Sequence, residues 1–260
     1  MIDCMAHLDD PRIEQPQIFL ERAACAGVDV VLNAGFDPST VPAPRFFEKN
    51  EGTRIYWAYG LHPQAIDHQR VTQQLDDLAQ LLKRPRVVAL GEIGLDHRPG
   101  MPPAGLQEQV FQTQLHLAQH LNLPVIIHCV RATGRLLQLL RDHGPLKSGG
   151  MLHAYGGPVE LIGKFKALGL YFSFGSRVCV PEAAKCHRAA KKVPIGRLLV
   201  ESDTPDHPLA SDLASSEPAH VIKIVERLAQ LRGCTATFLE NETSANAECL
   251  FRFSAIRNVS

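Results

Sequence analysis

Eight short runs of β-branched or apolar residues recur along the chain, and most are separated by longer segments with helical spacing. The runs are the opening "MIDCMAHLDD", then "VDVVLNAG" (28–35), "RIYWAYG" (54–60), "RVVALGE" (86–92), "PVIIH" (124–128), "GGMLHAY" (149–155), "LYFSFG" (170–175) and "RLLVESD" (197–203). Strand followed by helix, repeated about eight times, specifies a parallel sheet. Several runs are continuously apolar, as parallel strands buried on both faces must be. Eight such units in about 250 residues favour an α/β fold of the closed TIM-like (β/α)8 barrel type over an open doubly wound sheet. The open sheet also lacks support from a G-x-G-x-x-G after an early strand. In "GLQEQVFQTQLHLAQHLNL" the spacing puts Leu106, Val110, Leu117 and Leu121 on one helix face. Glycines close "ATGRLLQLLRDHG" and follow "EPAHVIKIVERLAQLR", as at many helix ends. Neither linker nor repeat interrupts the pattern, so the expectation is a single barrel over 1–254 and a loose tail over 255–260.

Composition narrows what such a barrel can do. No apolar run approaches the ~18 residues of a membrane helix. No basic N-terminal region leads into an apolar core, so a cytoplasmic protein is expected. The seven cysteines form no C-x-x-C pair, which argues against a disulfide framework or a cysteine zinc site. With 27 basic and 27 acidic residues the chain lacks the basic excess of proteins that wrap duplex DNA. A nucleic-acid enzyme of this charge would grip a short end and let a metal supply much of the positive charge. The densest basic stretch, "KCHRAAKKVP" (185–194), reads first as a solvated helix face and second as a phosphate-facing surface.

Active sites of such barrels lie at the C-terminal ends of the strands. There the sequence places His7 and Asp9 on the first strand, His62 after the third and Glu92 on the fourth. His128 closes the fifth, the sixth carries His153, and Glu201 and Asp203 close the eighth. Alone, each is an ordinary hydrogen-bonded histidine or capping acid. Together they are nitrogen and oxygen donors converging from separate strands, the pattern of a divalent-metal site. His97 and His207 follow strand ends and fall on the rim. Histidines 68, 116, 120, 143, 187 and 220 fall in helical or loop stretches and read as surface or packing residues.

The pieces "IDCMAHLD", "GLHP", "GEIGLD", "PVIIHC", "LHAYGG", "ESDTPD" and "ENETSANAECLF" resemble the TatD-type metal-dependent hydrolases, also called TatD deoxyribonucleases, from about Ile2 to Phe253. The resemblance implies an amidohydrolase-like barrel with two divalent metals. Glu92 would bridge them, His7 and Asp203 would belong to one, and His128 and His153 to the other. His62 would contact the substrate phosphate, and Arg131 is the remaining candidate for substrate binding. Mg²⁺ or Mn²⁺ is the implied cofactor, with Zn²⁺ as the alternative, as one or two ions. DNA processed from its 3′ end is the implied substrate, with RNA as a further one.

Two departures stand out. The family opens Asp-x-His-x-His, and here Met5 occupies the place of the first ligating histidine in Asp3-Cys4-Met5-Ala6-His7. A thioether is a poor partner for Mg²⁺ or Mn²⁺, so Met5 reads as a packed, non-ligating residue. The family's His-x-Arg on the fifth strand is here His128-Cys129-Val130-Arg131, which leaves the aim of the arginine open. The expected mechanism is phosphodiester hydrolysis by metal-activated water, with Asp203 as general base. Two rivals stand beside it: ester or amide hydrolysis of a small molecule on the same barrel, and a catalytically weakened binder created by Met5.

Overall fold

All eight expected runs form strands: β1 (Ile2–Ala6), β2 (Val30–Ala34), β3 (Arg54–Tyr59), β4 (Val87–Asp96), β5 (Val125–Val130), β6 (Gly150–Leu152), β7 (Leu170–Phe174) and β8 (Leu198–Val200). They pair in parallel in the order of the sequence. The computed structural model describes residues 1–40, 52–209 and 214–258, the last three without their side chains. A bridge between Ala6 and Thr204 brings the end of β8 back to β1, and His7 N–H donates to the Thr204 carbonyl at 2.7 Å. The result is a TIM-like (β/α)8 barrel with helices α1 (Pro16–Cys25), α2 (Val71–Leu81), α3 (Ala104–Leu121), α4 (Thr133–His143), α5 (Ile162–Ala167), α6 (Ala184–Lys192), α7 (Val221–Arg232) and α8 (Ala236–Phe251).

Apolar side chains fill two spaces. One cluster, including Leu32, Ala34, Ala58, Ala89, Ile126, Met151, Tyr171 and Leu199, draws on all eight strands. The other joins strand residues such as Val31 and Ile127 to the helices through Leu20, Leu78, Phe111, Leu136, Phe165 and Leu228. The glycines expected at the ends of α4 and α7 (Gly144 and Gly233) have positive φ, and so does Asn122 after α3. The asparagine of the C-terminal motif has a structural task. Asn246 of α8 donates to the carbonyls of Ile195 (2.7 Å) and Leu198 (2.9 Å), which pins the start of β8.

The face of α3 differs from the expected one. Leu121 is 39% exposed and Leu106 and Leu117 are only half-buried, whereas Gln107 and Gln114 are buried with Val110, Phe111, Leu115 and Ala118. Both glutamines hydrogen-bond strand ends through both ends of their amides. Gln114 accepts from Leu61 N–H (2.8 Å) and donates to Leu61 carbonyl (3.1 Å). Gln107 does the same for Asp96 at 2.7 and 2.8 Å. A buried amide with these partners satisfies backbone groups that the sheet no longer pairs. Of the expected loose tail, residues 255–258 lie in a 3-10 turn that follows the buried Phe253, and residues 259 and 260 fall outside the described residues.

Candidate metal centre

Glycines decide how closely β3, β4 and β5 approach one another. A Cβ on Gly94 would lie 2.0 Å from the His128 carbonyl oxygen, and its φ of +144° is itself a glycine conformation. A Cβ on Gly91 would lie 2.5 Å from Ile126 Cβ, and one on Gly60 would lie 2.7 Å from the Gly91 carbonyl carbon. The two glycines of "GEIGLD" thus draw β4 against β5, and Gly60 draws the loop carrying His62 against β4. This brings His62, Glu92 and His128 to one place, with donor atoms all within 4.8 Å of one another.

Glu92 is the centre of the arrangement. Its Oε1 lies 2.9 Å from His128 Nδ1, 3.1 Å from His153 Nε2 and 3.6 Å from His62 Nε2. Its Oε2 lies 3.6 Å from His7 Nε2, and the same nitrogen is 3.9 Å from Asp203 Oδ1. The structure therefore brings together His7, His62, Glu92, His128, His153 and Asp203. Full burial works to raise the Glu92 carboxyl, but the imidazoles of His153, His62 and His128 hold it well below the usual range. Burial pushes Asp203 up.

The far nitrogen of each imidazole decides what the near nitrogen can offer. His7 Nδ1 lies 2.7 Å from the Ala34 carbonyl oxygen, which can only accept. His153 Nδ1 faces Glu201 Oε1 at 3.3 Å, and His128 Nε2 faces Asp96 Oδ2 at 3.2 Å. Burial opposes charge on His128 and His153, but Asp96 and Glu92 raise the first and Glu92 and Glu201 raise the second, so without a cation these rings share protons with Glu92. With a cation bound there, each ring would keep a hydrogen on the far side and present its near nitrogen to the ion. His62 is the reverse. Its Nδ1 accepts from Gln64 N–H at 3.2 Å, so its hydrogen sits on Nε2 and points toward Glu92. Burial lowers its pKa to about 4, which keeps the ring neutral at pH 7. Three imidazoles thus offer a ligand atom and one offers a hydrogen-bond donor.

Two buried acids complete the set: Glu201, read from the sequence only as a donor at the end of the eighth strand, and Asp96, which the sequence reading did not single out. Glu201 accepts from Ser173 Oγ (2.6 Å) and Ala154 N–H (2.7 Å) while facing His153. Asp96 accepts from Gln64 and Arg98 while facing His128. Burial opposes the charge of Asp96, but His128, Arg98 and Gln64 hold its carboxyl well below the usual range. Carboxylates behind metal-binding imidazoles fix ring orientation and tautomer. The signal was present, since both acids stand inside "GEIGLD" and "ESDTPD".

Met5 is fully buried and belongs to the same apolar cluster as Leu32, Ala34 and Ile126. Its backbone carbonyl accepts from Asp203 N–H at 3.0 Å and so helps to place that acid, which sits at a positive φ of 56°. Asp3 accepts from Ser202 N–H at 2.8 Å and Met5 N–H at 3.2 Å, and burial raises its carboxyl pKa to about 8. The folded chain therefore holds this proton more tightly than the unfolded chain does. The resulting stability is present below the unfolded value near 4 and is lost as pH rises through about 8. Asp3→Asn is expected to remove that part of the decline. Denaturation midpoints at pH 5 to 8 in chelator test this, and equal slopes for both proteins would refute it.

Arg131 stays apart from the cluster. It is exposed at the end of β5 with φ 54°, and forms no ion pair among the described residues. His207 reaches the rim, with Nε2 3.9 Å from Asp203 Oδ2, while 69% of its side chain is exposed. On the same side of the barrel, Lys185 and Arg188 of α6 line a groove of about 280 Å³ with Gly156–Glu160, just beyond His153.

The donor set is nitrogen and oxygen only, and its ligand atoms gather around one buried carboxylate, which fits a divalent cation. A family model of TatD related DNases matches residues 2–252. The chain belongs to the TatD family. Among TatD-family relatives, the metal-dependent hydrolase YabD of Bacillus subtilis strain 168 is 33% identical over 260 residues, covering 98% of this chain and 100% of YabD. The 3′-5′ ssDNA/RNA exonuclease TatD of Rahnella sp. strain Y9602 is 32% identical over 249 residues, covering 92% of each chain. The crystal structure of the TatD homologue YjjV from Escherichia coli K12 superposes with a TM-score of 0.86 at 30% identity, covering 97% of this chain and 98% of YjjV. Membership makes the protein a metal-dependent hydrolase acting on ester bonds. No helix among the described residues is long and apolar enough to cross a membrane.

Proposed function

We propose that this TatD-family hydrolase is a cytoplasmic 3′-5′ exonuclease of DNA, with RNA as a further substrate, that works with Mg²⁺ or Mn²⁺ and with Zn²⁺ as the alternative. The observation that carries the reading is the division of labour among the imidazoles. The far nitrogens of His7, His128 and His153 face acceptors, so with a cation in place each near nitrogen would present a lone pair to it, while His62 turns an N–H to the same space. Lone pairs suit a cation, and the N–H suits an anionic phosphoryl oxygen. The Rahnella relative named as a 3′-5′ exonuclease supports the direction of cleavage. The seven cysteines, all free, fit a reducing compartment.

In this reading His7 and Asp203 would hold one ion and His128 and His153 the other, with Glu92 available to both. A bound divalent metal makes a coordinated water acidic and polarises a phosphoryl oxygen. Asp203 orients the attacking water and takes its proton. His62 donates from Nε2 to a phosphate oxygen as charge builds there. Glu201 and Asp96 keep the rings of His153 and His128 in register. Arg131 on the rim and the Lys185–Arg188 groove flank the path of the strand.

The test is nucleotide release from 3′- and 5′-end-labelled single-stranded DNA with Mg²⁺, Mn²⁺ or chelator. Shortening from the 3′ end that chelator abolishes is the expected result. Asp203→Ala should cost about 10²–10⁴ in rate, the usual weight of a general base. His62→Ala should cost about 10²–10³ with bound metal unchanged, as for a lost oxyanion donor. No DNA cleavage with any metal would overturn the assignment. Met5→His should raise metal content, because it adds an imidazole beside His7 and Asp203. If elemental analysis shows no gain, Met5 does not stand in a ligand position.

A further inference from the structure

At the edge of the centre lies an aromatic ring with no part in the chemistry so far. Phe36 follows β2, and its backbone carbonyl accepts from His62 N–H at 3.0 Å. Its ring stacks on the imidazole of His62 with centroids 4.4 Å apart and planes 22° from parallel. His62 is 3% exposed beneath it, yet Phe36 itself is 44% exposed. The other large apolar residues comparably exposed among the described residues are Ile18, Leu121, Val180 and Phe238, and none makes a ring contact with a residue of the centre. One face of Phe36 is thus fixed on the imidazole that donates toward Glu92, and the rest of the ring is open.

We propose that Phe36 is a stacking platform for a base of the substrate, a role that rests on the nuclease reading above and names the part of the nucleotide held outside the metal centre. A base adjoining the scissile phosphate lies on the open part of the Phe36 ring, while the phosphate faces His62 Nε2 and Glu92. Every nucleobase has a π-face, so such a platform tolerates any sequence, and an exonuclease that advances one nucleotide at a time needs that tolerance. The Phe36 carbonyl bond to His62 N–H keeps platform and phosphate donor at a fixed separation. A small-molecule ester without an aromatic group gains nothing from the ring.

The experiment compares kcat/KM of the metal-loaded full chain on single-stranded DNA ending in an ordinary or an abasic 3′ nucleotide. Wild type, Phe36→Ala, Phe36→Leu and Phe36→Trp are measured side by side. Wild type should prefer the natural end by roughly 5- to 150-fold, the weight of one stacked base. Phe36→Ala and Phe36→Leu should lose that preference and Phe36→Trp should keep it. Equal losses on both substrates in Phe36→Ala, or a wild type indifferent to the missing base, would overturn the platform while leaving the nuclease reading intact. If no DNA is cut, the nuclease reading falls. The platform is then decided by quenching of 3′-terminal 2-aminopurine fluorescence on binding, and quenching that does not depend on Phe36 overturns it.

Discussion

Glu92→Ala should empty both metal positions and lower DNA hydrolysis by about 10³-fold or more, the combined loss of Lewis acidity and of positioned charge. The carboxylate is 3% exposed and lies between the two groups of ligands, within 3.6 Å of four imidazoles. Among the described residues no other carboxylate has ion-pair contacts with as many imidazoles. His128 and His153 can shed their protons once the buried acid is gone, so the fold should survive, with an unchanged circular dichroism spectrum. Elemental analysis after dialysis reads the metal directly. A variant that keeps its full metal content and full activity would show that Glu92 does not bridge.

Gly94→Ala tests the packing that makes the centre rather than its chemistry. The added methyl would meet a backbone oxygen at 2.0 Å, and backbone cannot swing aside as a flexible side chain can. Strain at a positive φ and overpacking together cost roughly 2–6 kcal/mol. Gly100→Ala is the control, because its φ is also positive at 84° but nothing lies within 4 Å of the new methyl. That variant should lose only the strain, about 1–2 kcal/mol. Denaturant midpoints separate the two. Equal losses would mean that the approach of β4 to β5 is not what requires the glycine. Metal content of Gly94→Ala should fall as well, since the displaced strand carries His128.

Strands were legible because buried parallel strands leave an unbroken apolar signature, and all eight lie where the runs lie. Their ends were less so. β4 continues past the apolar run to Asp96, with a register irregularity between Leu90 and Ile93, because glycine and acid in "GEIGLD" do not look like strand residues. The face of α3 was misplaced for a related reason. Periodicity counts Gln107 and Gln114 as polar and turns them outward, but their backbone partners exist only once the barrel has formed. In the centre, the motifs gave residue types and strand ends, and the structure brings six of those residues together. Which nitrogen of each ring faces Glu92 is set by Ala34, Gln64, Asp96 and Glu201, and none of these pairings can be read from spacing. Arg131 comes from the resemblance to the family's His-x-Arg, here one residue longer, and at positive φ beyond the strand end it is exposed.

Barrel closure has a consequence for when the protein becomes active. Asp3 accepts from Ser202 N–H across 199 residues of chain, Asp203 N–H reaches Met5, and His7 N–H reaches Thr204. The first strand and the last therefore hold each other, and the ligand pair His7 and Asp203 exists only after they meet. A ribosome that has made β1 through β7 has produced most of the apolar interior and every proposed cation ligand except Asp203. Loop closure over so long a separation is slow and comes late. A nascent or truncated chain thus lacks the complete cluster, and the last strand to arrive completes it.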